Sequence, residues 1–312
     1  MKHSPIFTAL CLVLLMGYGH RVEAQTATDG IMMPKGDLCI ALMADKGSWD
    51  HYWEGPNLIS NGNVGTLKRT SIMPMVAYGI TDRILVFVQL PYVSTESTGG
   101  QMTGVSGLQD IGLAIKGNLF SRDIGKGTLH IFGVGEYSRP ITNYLSDYMP
   151  YSLGLGTDQI TARAIAHYRW DMGLYLRASG AHIWRGYTKV ERDYYYQDGS
   201  VYSEWMDVPN AVNAQAVAGF YFLEDMLQLE MQYTLLHATS GDDIRRWNPG
   251  QPTNRMKMDI VGGSLRFYVP GTLSGLSLIA GYQHTISGRN MGQFSTLFGG
   301  LTYQFNVIKS KN

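Results

Sequence analysis

Residues 73–93 read MPMVAYGITDRILVFVQLPYV, and residues 107–118 read GLQDIGLAIKGN. Two runs of strand-forming residues meet at a tight turn, Tyr78-Gly79-Ile80-Thr81-Asp82. The second run ends at Leu90-Pro91-Tyr92, read as a strand leaving a membrane at its outer face. A polar, Gly-rich interval then leads to a third run carrying Gly107, Asp110, Gly112 and Lys116. The unit is strand, short turn, strand, long loop, strand. The rest of the chain repeats its rhythm but not its residues.

Alternation shows what the strands face. Within 226–235, Leu227, Leu229, Met231, Tyr233 and Leu235 fall on one side, and Gln228, Glu230, Gln232 and Thr234 on the other. A helix would scatter both sets around its circumference. Near the C-terminal end, Leu297, Gly299, Leu301, Tyr303 and Phe305 oppose Thr296, Gly300, Thr302 and Gln304. About ten residues at a barrel tilt cross an outer membrane. Further segments of this kind lie near 36–45, 66–78, 83–93, 107–119, 128–138, 156–170, 171–184, 208–222, 255–269 and 274–286. The total is about twelve, an even number as bacterial barrels require.

Connection lengths sort themselves. Short turns fall at 79–82, 120–127, 170–171, 223–225 and 270–274; long polar ones fall at 46–65, 94–106, 139–155, 185–207, 240–254 and 287–292. Short and long alternate without a break. A transmembrane barrel does this because its periplasmic turns are short and its extracellular loops long, whereas a soluble sandwich has no reason to. Tyr78, Tyr92, Tyr137, Tyr168, Trp170, Trp184, Tyr187, Tyr221, Tyr268 and Tyr303 sit near strand ends, where interfacial rings form girdles. The expected fold is an all-β, antiparallel, up-and-down transmembrane barrel of about 12 strands.

Bulk numbers agree. Lys plus Arg equals Asp plus Glu at 25 each, so the footprint of nucleic-acid binding is missing. Charged residues are 16%, against roughly 25% in a typical soluble protein. Residues 1–24 read as a secretory signal peptide cut after Ala24, with Lys2 ahead of an apolar run and a small residue at the cut. Cys11 lies within that run, leaving Cys39 as the mature chain's lone cysteine, read as packing filler. Residues 25–312 are expected to form one barrel domain in the bacterial outer membrane.

Inward-facing candidates are Arg69, Asp110, Lys116, Arg163, His167, Arg169, Arg177, Asn213, Gln215, Glu230 and Arg266. Polar side chains in a lumen are the norm, and they also line a solute path. Asp110 and Lys116 share a face but are six residues apart, too far to pair directly. The loop 185–207 carries Tyr187, Tyr194, Tyr195, Tyr196, Tyr202 and Trp205 among charges, a surface for a protein partner or a ring-stacking ligand. Asp242, Asp243, Arg245 and Arg246 read as an ion-pair cluster at the mouth. No catalytic, metal or cofactor residue is assigned. There is no nucleophile elbow, paired-His metal motif or phosphate loop. The enzyme reading is a hydrolase at the outer rim, using His182 or His284 with Ser287 close by.

The motifs at Val76-Ala77-Tyr78-Gly79-Ile80-Thr81-Asp82, Leu90-Pro91-Tyr92 and Gly107-Leu108-Gln109-Asp110-Ile111-Gly112 resemble the outer-membrane transporter family labelled "MetA-pathway of phenol degradation". The resemblance covers roughly the first third of the mature chain by motif and the remainder by architecture. It implies an outer-membrane barrel passing hydrophobic or aromatic compounds, with no catalytic residues to transfer. The expected function is passive passage of small molecules, with outer-membrane lipid and a small solute as partners. A non-transporting barrel that docks a protein through its loops is the alternative.

Overall fold

The computed structural model describes residues 26–308. The expected signal peptide lies outside them. Twelve wall strands form a closed antiparallel barrel. They are β1 (Asp37–Trp49), β2 (Leu67–Thr81), β3 (Ile84–Gln89 and Tyr92–Ser97), β4 (Ser106–Leu108 and Asp110–Asp123), β5 (Gly127–Pro140) and β6 (Gln159–Trp170). Next come β7 (Leu174–Arg185), β8 (Ala211–Phe222), β9 (Leu227–Ala238), β10 (Lys257–Tyr268), β11 (Leu276–Arg289) and β12 (Ser295–Asn306). Each pairs with its neighbours in sequence, and β1 closes the ring, with Leu42 opposite Pro74 on one side and Leu301 on the other. Closure removes the unpaired edge that hydrocarbon cannot solvate.

Period-two alternation assigns the faces. Ile40, Leu42, Val76, Val88, Ile115, Leu176, Met231, Leu265 and Leu301 stand exposed on the outer wall. In water this belt would be a severe apolar patch; in a bilayer it is the lipid contact. Tyr92, Tyr137, Trp184 and Tyr303 are also exposed. Tyr221 and Tyr268 are corrections to the expected girdle. Both fall on the inward phase of their strands and pack with Tyr175 and Val217 inside the barrel.

A second correction concerns Pro91. The wall does not end there, because β3 resumes and pairs Tyr92 with Ile72 and Ser97 with Leu67. What Pro91 does is break the ladder. Proline has no N–H to donate, and Pro74 lies at the same level in β2. The Leu90 N–H goes to the Pro74 carbonyl at 3.2 Å, and the Gln109 N–H goes to the Pro91 carbonyl at 2.9 Å. The irregularity thus passes from β2 through β3 to the interruption of β4.

The long loops carry structure of their own. His51–Glu54 pairs with Asn57–Ser60, Tyr187–Lys189 with Trp205–Asp207, and Tyr195–Tyr196 with Ser200–Val201. The expected mouth cluster divides in two. Asp243 accepts from Arg289 Nε at 2.8 Å and Asn290 Nδ2 at 2.9 Å, with Arg245 at 3.8 Å. Asp242 is instead wrapped by neutral donors: Asn248, Gln251, Thr253 and Asn254.

Two outcomes follow from this architecture. Met231→Arg puts a cation near mid-wall on the lipid face and should cost about 2–4 kcal/mol, whereas Leu227→Arg near the strand end should cost about 0–1 kcal/mol. Denaturant titration in vesicles distinguishes them. Second, burial pushes the Asp243 carboxyl up, but Arg289, Asn290 and Arg245 outweigh it and hold the group below the usual carboxylate value. The loop staple is therefore intact above about pH 4, the unfolded value, and is lost as pH falls through the lower folded one. Hydrogen-exchange protection of residues 242–256 should stay level from pH 8 to pH 5 and fall below about pH 4.

Candidate functional site

The interior has two unlike halves. The short-turn half is occupied by the chain's own residues 26–36, which turn back into the barrel ahead of β1. Lys35 N–H donates to Asp82 Oδ1 at 2.9 Å, and Gly36 N–H to the Gly79 carbonyl at 2.8 Å, which ties the segment to the β2–β3 turn. Gly36 takes φ of +81°, a turn that suits glycine. A Cβ on Gly79 would collide with the Pro34 carbonyl. Met33 is buried against Cys39, Ala41, Met75, Ala77, Leu85 and Phe87, all on inward faces. Burying such a side chain contributes roughly 1.5–3 kcal/mol. Met32 and Ala27 pack on Phe132, Val134 and Ile165.

Above Met33 the segment meets a charge. Lys116 is 0% exposed, with Leu85 and Val134 as its cross-strand neighbours. Its ammonium donates to Asp29 Oδ1 at 2.7 Å, to the Asp29 carbonyl at 2.8 Å and to the Thr26 carbonyl at 3.4 Å. The Phe132 ring lies 4.9 Å away. A buried ammonium survives only when paired and hydrogen-bonded. Every acceptor here comes from the N-terminal segment.

The other inward candidates form further pairs. Arg163 Nε reaches Glu136 at 3.1 Å, and its Nη1 reaches Asn213 Oδ1 at 2.7 Å. Arg169 reaches Asp225 at 2.6 Å and lies over the Tyr221 ring. Arg177 Nη1 donates to Glu230 at 2.9 Å, and the same carboxylate accepts from Tyr175 Oη at 2.6 Å. Gln215 Nε2 reaches Gln232 Oε1 at 3.1 Å. His167 faces Arg177 across the β6–β7 ladder and presses on Gly30, where a Cβ would strike its ring. Arg266 lies on the inward phase of β10, one pleat above Tyr268. Asp110 accepts from Tyr144 Oη at 2.5 Å. Burial and that carboxylate hold Tyr144 protonated well above the usual phenol range.

The long-loop half is a cavity of about 1360 Å³. Seven methionines border it: Met43, Met73, Met102, Met149, Met256, Met258 and Met291. Met43 and Met73 are direct cross-strand partners. Trp49, Tyr52, Phe294 and Phe298 add rings. The charged lining is Arg69, Arg185, Arg245 and Arg246 against Asp45 and Glu54. Arg69 lies 4.0 Å from Asp45.

In the loop 186–210, Tyr195 is buried with Val190 and Met206, while Tyr187, Tyr194, Tyr202 and Trp205 are exposed. Tyr196 meets Trp247 edge-on at 4.9 Å. The rim-hydrolase residues do not assemble. His284 Nδ1 pairs with Ser295 Oγ at 2.9 Å, not with Ser287, which lies opposite Asp259. No carboxylate hydrogen-bonds to His284 among the described residues. His182 packs on Trp184.

Residues 26–36 and the methionine lining are what the sequence did not single out. Asp29 is the one charged residue between Gln25 and Lys35, and that isolation is the signal it offered.

Comparison with known proteins adds to the fold alone. No family model matches the chain, and no curated protein matches it by sequence. Among solved structures, the COG4313 outer membrane channel from Pseudomonas putida F1 superposes with a TM-score of 0.68 at 14% identity, covering 91% of this chain and 100% of that one. The NanC porin overlaps at 0.45 with 8% identity, covering 84% of this chain and 98% of that one. The translocator domain of the autotransporter NalP from Neisseria meningitidis overlaps at 0.42 with 13% identity, covering 88% and 90%. This chain therefore has the fold of an outer-membrane β-barrel, shared over nearly its whole described length with the first of these.

Proposed function

We propose that the chain, after loss of residues 1–24, is a single-domain bacterial outer-membrane channel admitting small, largely apolar molecules by passive diffusion. One observation carries the reading: the long-loop half of the lumen is a cavity of about 1360 Å³ lined by seven methionines and four aromatic rings. Unbranched, polarisable thioethers adapt to apolar molecules of varied shape. Pockets of this size bind ligands mainly through such walls, with a few polar groups for orientation. The resemblance of the β2–β4 motifs to the phenol-degradation transporter family points the same way. So does the fold shared with a protein described as a channel.

The second reading, a barrel that docks a protein partner, has an observation of its own. Residues 26–36 fill the short-turn half of the lumen, and Tyr187, Tyr202, Trp205 and Trp247 stand exposed on the loops. Planar-bilayer recording separates the two, together with entry of benzyl alcohol into vesicles whose outer leaflet is lipopolysaccharide. The channel reading expects discrete conductance steps and protein-dependent entry. It also expects a several-fold slower entry when Met43 and Met73 are both replaced by lysine. A correctly folded barrel with neither conductance nor entry would sink it.

A further inference from the structure

The Lys116 pocket is built for more than an anchor. Lys116, the only cation there whose acceptors all lie on the N-terminal segment, donates to Thr26 and Asp29 and to nothing in the wall. Arg177 lies within electrostatic reach of the same carboxylate. Among the described residues, three buried polar atoms on the inward faces of β6 and β7 have no hydrogen-bond partner: Arg177 Nε, His167 Nδ1 and Ser179 Oγ. Their residues are 7%, 5% and 9% exposed. A purely structural latch would gain by satisfying these groups, because a buried polar atom without a partner is destabilising. Apolar surface adjoins the charge, with Phe132 and Ile165 on β5 and β6 and the Tyr175 ring 5.1 Å from that of His167.

We infer that the wall around Lys116, Phe132, His167, Arg177 and Ser179 is a binding site for a small organic carboxylate with an apolar or aromatic body, and that Asp29 occupies it as a built-in competitor. The Lys116 ammonium gives a carboxylate a charge-assisted hydrogen bond, the strong class, and the Arg177 guanidinium, held by Glu230, adds attraction from nearby. Withdrawal of residues 26–36 would strip Lys116 of all its acceptors. An entering carboxylate restores them and also brings acceptors for Arg177 Nε and Ser179 Oγ. The cavity above fits this ligand, since its methionines suit the body and its four arginines against two carboxylates favour an anion. Gly30 completes the device. Lacking a side chain, it lets the segment pass the His167 ring closely enough to deliver Asp29. The inference rests on the channel reading only for the route by which the ligand arrives.

Calorimetry on the refolded mature protein in detergent tests it, with sodium benzoate as the probe and benzyl alcohol as the neutral counterpart. Heat-modifiable electrophoretic mobility checks that each variant is folded. Asp29→Ala should bind benzoate at least tenfold more tightly than wild type, and adding Lys116→Gln should abolish that gain. Benzyl alcohol should change less than twofold throughout. Gly30→Val keeps both charges but unseats the segment, and should raise benzoate affinity as Asp29→Ala does. This variant keeps the test decisive if the double variant does not fold. Equal affinity for benzoate and benzyl alcohol in Asp29→Ala, or a benzoate gain that survives Lys116→Gln, would show a structural latch only. Benzoate binding in the expected pattern by a barrel that conducts nothing would overturn the channel reading and leave this one standing.

Discussion

Everything in this chain follows from the cost of an unpaired backbone amide in hydrocarbon. Each unsatisfied N–H or C=O there costs several kcal/mol, so a spanning sheet must close on itself. Closure fixes β12 against β1, and with it the phase of every side chain on both strands. Thr302 and Gln304 are turned inward and buried, while Leu301 and Tyr303 face out. Because the pleat has a period of two, one choice of register sorts the whole wall into a lipid face and an interior.

That same constraint accounts for what looks irregular. Pro74 and Pro91 each withhold a donor, yet they sit where neighbouring N–H groups reach over to their carbonyls. The wall bends locally but is not breached. Inside, where water and side chains can satisfy the backbone, the chain spends its freedom differently. Ion pairs knit the wall from within: Arg163 to Glu136 joins the adjacent strands β6 and β5, and Arg177 to Glu230 reaches over β8 from β7 to β9.

The barrel was legible because its rules are local. Alternation in 226–235 and the strict succession of short and long connections depend on neighbours in sequence, so each strand announces itself. Tyr221 and Tyr268 were misread for the same reason. Proximity to a strand end is local, but which phase of the pleat a ring occupies depends on register across the sheet. The interior was far less legible. Arg69, Lys116, Arg163 and Arg177 declare an inward face by alternation, but their partners come from other strands or from outside the wall. Asp29 lies 87 residues from Lys116, and nothing in the spacing ties them together. The methionines of the cavity are likewise drawn from β1, β2, β10 and four loops.

The N-terminal segment also depends on the closure of the ring. Its seat is assembled from β1 to β7, yet the space it fills is enclosed only when β12 meets β1. The enclosure around residues 26–36 is thus complete only in the closed ring. The wall alone leaves the Lys116 charge unmatched, and the segment that fills the lumen completes that balance.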